Sequence, residues 1–92
     1  MSHPDFDPGR AYAVDPQVAL RPEPFGALAY HFGNRRLSFL KSPQLVTVVR
    51  LLESHGSAAG ALEAADVPVR QWGRYAAALA ALAESEVIVD ER

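Results

Sequence analysis

The stretch ALAYHFGNRRLSFLKSPQLVTVVRLL, residues 27–52, changes its apolar period halfway along, and that change decides the fold. From Ala27 to Phe32 the period is two. Leu28, Tyr30 and Phe32 share one face and Ala27, Ala29 and His31 the other, the pattern of a half-buried strand. Gly33-Asn34 follows, a pair suited to the positive φ angles of tight hairpin turns. Arg35 to Leu40 resumes the alternation, with Leu37 and Phe39 on one side and Arg36, Ser38 and Leu40 on the other. At Ser42-Pro43 the period lengthens. Serine is a good N-cap and proline suits the first helical position. Leu45, Val48, Val49 and Leu52 then recur at the i, i+3, i+4, i+7 spacing of an apolar helix face.

Reading outward from this stretch extends the pattern on both sides. Upstream, Val18 to Arg21 alternates weakly and meets Pro22-Glu23-Pro24-Phe25-Gly26, whose two prolines and glycine mark a turn. Residues 18–40 therefore read as a three-stranded antiparallel meander. Downstream, Gly56 closes the first helix and Ser57 caps an alanine-rich second one over Ala58 to Ala65. Asp66-Val67-Pro68 breaks the chain. A third helix runs from about Val69 to Glu84, with Trp72, Tyr75, Ala76, Leu79 and Leu82 or Ala83 on one side. Val87-Ile88-Val89 is an apolar exit, a strand or an extended tail. The order is βββααα with an optional final strand, an α+β class in which the last two helices are joined by a short break as in a helix-turn-helix. Residues 1–17, with Pro4, Pro8 and Pro16, read as a partly flexible N-terminal arm with order near Ala11 to Val14, and residues 18–92 as the domain.

A chain of 92 residues is one domain and buries only roughly 60–65% of its unfolded surface, leaving little core for a deep catalytic cavity. Cysteine is absent, which removes disulfides, thiolate metal sites and cysteine nucleophiles together. The acidic, proline-punctuated start is not a signal peptide, and no apolar run approaches the ~20 residues of a membrane helix. The expectation is a cytoplasmic protein, monomeric when free, that engages neither membrane nor nucleic acid. The net charge of -2 weighs against DNA, but the charge is uneven. Arg21 to Arg50 holds five basic residues against one acid, Glu23, whereas Glu84 to Arg92 holds four acids against one base. A basic middle suits a carboxylate-bearing partner.

No constellation supports catalysis. His3, His31 and His55 have no partner at a metal-ligand spacing, and His55 suits a helix C-terminus. The serines occupy no nucleophile elbow, and the glycines form neither a dinucleotide fingerprint nor a phosphate loop. The acidic tail Glu84, Glu86, Asp90 and Glu91 reads as solvated charge. Two elements remain informative. On the third helix Arg70 and Arg74 interleave with Trp72 and Tyr75, which reads either as one core-facing stripe with the arginines in water or as a helix with one edge in the core and another, bearing Arg70 or Arg74, lining a groove. The same pattern fits a DNA recognition helix. The strand Arg35 to Leu40, placed at a sheet edge, offers unpaired main-chain groups to another strand, with Ser38 taken as one of the residues whose N–H points outward.

Three segments, VALRPEPFGAL (18–28), YHFG (30–33) and LSFLK (37–41), resemble the mycofactocin biosynthesis chaperones, the MftB family. These belong to the precursor-peptide recognition elements typified by the pyrroloquinoline quinone chaperone PqqD. The resemblance spans roughly residues 10–90. It implies a three-stranded antiparallel sheet followed by three helices, a winged-helix-like, PqqD-like fold, and a leader peptide that adds beside the third strand and packs against the third helix. It further implies no activity and no cofactor or metal of its own. The precursor is delivered to a radical S-adenosylmethionine maturase, which modifies its C-terminal Val-Tyr. Carried onto this chain, the peptide-binding residues are Arg35, Arg36, Leu37, Ser38, Phe39 and Leu40 with Arg70, Arg74 and Tyr75. The competing reading is a winged-helix DNA-binding regulator.

Overall fold

The computed structural model describes Asp7 and residues 9–90. His3, the rest of the arm before Asp7, Pro8, and Glu91 and Arg92 of the acidic tail lie outside the described residues. The chain runs β1 (Tyr12–Val14), β2 (Val18–Glu23), β3 (Gly26–His31), β4 (Leu37–Leu40), α1 (Pro43–Leu51), α2 (Ala58–Ala64), α3 (Trp72–Glu84) and β5 (Ile88–Asp90). Short 3-10 turns follow α1 and precede α3.

Strands β2, β3 and β4 form the antiparallel meander in that spatial order, and three helices follow it. A second, two-stranded sheet joins β1 to β5, with Tyr12 opposite Asp90 and Val14 opposite Ile88. The apolar exit is thus a strand. It closes onto residues 12–14, and Tyr12 is buried in the core. Arg10 and Asp90 pair beside it.

Both helix starts follow from local chemistry. Ser42 Oγ accepts the Leu45 N–H at 3.0 Å and Ser57 Oγ accepts the Gly60 N–H at 3.0 Å, satisfying amides the helix cannot. Gly56 takes a left-handed conformation after α1, where a side chain would be strained. The Trp72 indole N–H donates to the Val67 carbonyl at 2.9 Å and ties α3 to the Asp66–Pro68 break.

The sheet buries its small face. Ala27, Ala29 and His31 of β3 and Leu40 of β4 face the helices, with Ala27, Ala29 and Leu40 fully buried against Val48, Val49, Leu52 and Leu79. The alanines let α1 approach β3 closely. The large alternate residues Leu28, Tyr30, Leu37 and Phe39 face the other way.

The β3–β4 connection is not the two-residue turn that Gly33-Asn34 suggests. The connection between the strands holds five residues, Phe32 to Arg36, and the positive φ falls on Arg35. Side chains supply the turn instead. His31 Nδ1 accepts the N–H groups of Gly33 (3.0 Å) and Asn34 (3.1 Å), and Asn34 Oδ1 accepts that of Arg36 (2.9 Å). Gly33 is needed for space, since a Cβ there would lie 2.8 Å from Cε1 of the buried His31 ring. With Nδ1 an acceptor, the imidazole proton sits on Nε2, which faces Asp15 Oδ2 at 3.5 Å. His31 is thus structural, a buried post under the hairpin that leads into β4. His31→Ala strands two amides and opens a cavity, and is expected to cost about 2–4 kcal/mol in urea denaturation. A loss under 0.5 kcal/mol would refute this role.

Candidate peptide-binding groove

β4 is an edge strand of the meander. In an antiparallel ladder, pairs that exchange both main-chain bonds alternate with pairs that exchange none. The His31 N–H donates to the Arg36 carbonyl at 3.0 Å, and this sets the phase. Ser38 and Leu40 bond to Ala29 and Ala27 across the ladder, while the main-chain groups of Leu37 and Phe39 point away from β3, off the open edge. The expectation that Ser38 presents an outward N–H is therefore corrected: the outward donors belong to Leu37 and Phe39.

Beside this edge lies α3, and between them runs a groove in two adjoining sections of about 170 and 430 Å³. One section is lined by Lys41, Ser42, Leu45, Arg74, Tyr75 and Ala78. The other is lined by Ser38, Phe39, Lys41, Leu45, Ala78, Ala81, Leu82 and Ser85. The helix presents small residues, Ala78 and Ala81, at i, i+3 spacing, which leaves room between strand and helix for more than water. At the far end of α3 the groove narrows, where the Ser38 hydroxyl meets Ser85 Oγ at 3.4 Å and the Asn34 amide donates to the Ser85 carbonyl at 3.2 Å. At the other end stand two cations, Lys41 and Arg74. None of the ion pairs among the described residues uses either. The groove thus combines an open ladder, an apolar floor and uncommitted positive charge at one end. That equips it to hold an extended chain.

The structure brings together Ser38, Phe39, Arg74 and Tyr75 of the sequence-derived set. It separates the rest. Leu40 is fully buried and serves the core. Leu37 offers its backbone to the edge while its side chain, 58% exposed, lies on the outer face. Arg35 belongs to the loop before β4 and Arg36 ends it. Arg70 lies in the 3-10 turn ahead of α3 and lines neither section. Sequence reasoning missed Lys41, Ser42, Leu45, Ala78, Ala81, Leu82 and Ser85. The available signal was the stripe Arg74, Ala78, Ala81, Ser85, which repeats at three and four residues along one helix edge.

Comparison with known proteins places the chain. The model of the peptide chaperone MftB family matches residues 11–89. The peptide chaperone MftB of Mycobacterium ulcerans is 48% identical over 86 residues, covering 94% of this chain and 79% of that relative. That of Mycolicibacterium smegmatis is 50% identical over 84 residues, covering 91% and 82%. That of Mycobacterium tuberculosis is 46% identical over 85 residues, covering 92% and 78%. No solved structure matches. Family match and relatives agree over nearly the whole fold, groove included, and the chain belongs to the peptide chaperone MftB family.

Proposed function

We propose that this protein binds the leader of the mycofactocin precursor peptide as an added strand beside β4 and delivers the precursor to a radical S-adenosylmethionine maturase. The leader's main chain pairs with Leu37 and Phe39, and its alternate side chains pack on Ala78, Ala81, Leu82 and Tyr75 of α3. Lys41 and Arg74 attract a carboxylate on the peptide. The protein is non-catalytic, monomeric when free and cytoplasmic. The observation that carries this reading is the open edge of β4 set against a small-residue helix face. Strand addition draws affinity from the main chain and specificity from alternate side chains, which suits a leader more than a compact ligand.

Titration calorimetry with a synthetic leader tests the binding. The expected affinity is micromolar or better, about -8 kcal/mol, with no binding of duplex DNA at physiological salt. Tight DNA binding without peptide binding would establish the regulator reading instead. Mass spectrometry tests the delivery. Precursor mixed with this protein keeps its mass, and modification by the maturase depends on the protein being present. A maturase equally active without it removes the chaperone role.

A further inference from the structure

The ladder beside the groove fixes where the side chains of an added strand fall. Leu37 and Phe39 turn their main-chain groups to the open edge, so an added antiparallel strand bonds to those two residues. β3 already lies antiparallel to β4, and antiparallel pairing is the more stable arrangement per residue. Residues directly opposite each other across such a pair share one face of the sheet. The peptide residues level with Ser38 and Leu40 therefore turn their side chains toward the helices, as Ser38 and Leu40 do. They are consecutive helix-facing positions, two residues apart in the peptide and about 7 Å apart in space.

The two sections of the groove offer these side chains different surroundings. They adjoin through Lys41, Leu45 and Ala78, which line both. The section level with Ser38 has an apolar wall of Leu45, Ala78, Ala81 and Leu82. Its hydroxyls are already taken up: Ser38 Oγ donates to Ser85 Oγ at 3.4 Å, and Ser85 Oγ donates to the Ala81 carbonyl at 2.9 Å. An aliphatic side chain enters there without stranding a polar group. The section beyond Leu40 holds Lys41, Ser42, Arg74 and Tyr75. No carboxylate lines either section. Helix α1, which starts here, has no acid in its first turn, and Glu84, the one acid of α3, stands at the other end of that helix from Arg74. Glu86 reaches the hairpin at Asn34, at the closed end of the groove. A carboxylate held between Lys41 and Arg74 thus meets two cations with no competitor in the groove, and a covering peptide takes all three groups partly out of water, where charge-assisted bonds are strong.

We propose that the groove reads a two-position signature in its peptide. The first position is an acidic side chain held between Lys41 and Arg74. The second, two residues toward the peptide's C-terminus, is a large aliphatic side chain packed on Ala78, Ala81 and Leu82. The antiparallel direction sets the order, because such a strand passes Leu40 before Ser38. The signature rests on the strand-addition reading above and gives it a specificity, with Lys41 and Arg74 as the residues that determine it.

Lys41 is the one lysine of the chain, which makes the acid identifiable. A carbodiimide joins a carboxylate to an amine in contact with it, with loss of water. In the complex of the full chain with the synthetic leader it is expected to link Lys41 to one leader acid, located by tandem mass spectrometry. Changing that acid to its amide lowers affinity at least fivefold for the parent protein. The same change costs less than twofold in the Lys41→Gln, Arg74→Gln double variant, whose fold is checked by urea melts. Ala81→Leu lowers affinity for the leader about tenfold, but less than twofold for a leader cut to alanine two residues after the linked acid. The signature is overturned if no leader acid couples to the two cations. It is also overturned if the cut that relieves Ala81→Leu precedes the acid or lies at another spacing. A leader that loses affinity on Phe39→Pro yet ignores Lys41 and Arg74 removes the signature and leaves strand addition standing. A leader that ignores Phe39→Pro removes both.

Discussion

Phe39→Pro leaves the protein folded and lowers leader affinity about 100-fold, whereas Ser38→Pro destabilises the fold itself. Both changes remove one main-chain donor from the same four-residue strand. The difference lies in the direction of the lost N–H. That of Phe39 points off the sheet, so the parent ladder keeps its bonds and only the added strand loses a partner. Losing one such bond, with the pyrrolidine ring in its path, costs binding about 2–3 kcal/mol, and tenfold corresponds to about 1.4 kcal/mol. That of Ser38 points at β3, so its loss is borne in the native state, at about 2–4 kcal/mol on a small fold with little margin. Phe39→Ala is the control for the side chain and is expected to cost less than tenfold. Calorimetry with the leader, read beside urea denaturation, separates the terms. Normal binding by a folded Phe39→Pro variant means that strand addition at this edge is wrong.

The elements themselves were legible because each has a short-range signature. The period changes from two to 3.6 at Ser42-Pro43, both serine caps stand one residue before their helices, and the turn at Pro24-Phe25 separates β2 from β3. What escaped the sequence was which side of the meander is covered. Alternation divides Leu28, Tyr30 and Phe32 from Ala27, Ala29 and His31 without saying which set the helices meet. Size alone points to the wrong side here. The helices need alanine's small volume to reach β3, and the bulky set is left on the open face.

The groove was half legible for a similar reason. An edge strand beginning near two arginines and a helix mixing arginine with aromatics were visible as types of residue. Their registration was not. The phase of the β3–β4 ladder depends on the loop length between His31 and Arg36, and that loop is built by the His31 imidazole and the Asn34 side chain instead of by the Gly-Asn dipeptide. A two-residue turn at Gly33-Asn34 would have kept the same Cα partners, with residue 32 opposite 35, but would have moved the hydrogen-bonded pairs by one residue and so changed which amides point outward. The alanines of α3 carried no chemical signal at all. They matter for what they leave empty, a property that appears only when a second element is placed opposite.

That emptiness makes the strongest test of the groove. Ala81→Arg is expected to abolish detectable leader binding, a loss of at least 100-fold, with stability unchanged within about 0.5 kcal/mol. Ala81 is exposed on α3 and lines the larger section of the groove opposite Ser38 and Phe39. Arginine is a good helix former, so the helix tolerates it. Its long side chain fills the space in which the leader's side chains would pack, and it lies where no carboxylate among the groove-lining residues can hold it aside. Ala77→Arg is the matched control. Ala77 is also exposed on α3 but lines neither section, and the same added charge and bulk there should leave leader affinity within threefold. Adding positive charge near Lys41 and Arg74 would by itself favour an acidic leader. A loss at Ala81 alone therefore reports occlusion, since an electrostatic effect would raise affinity at both positions. Equal effects at Ala77 and Ala81 would place the peptide elsewhere on the molecule.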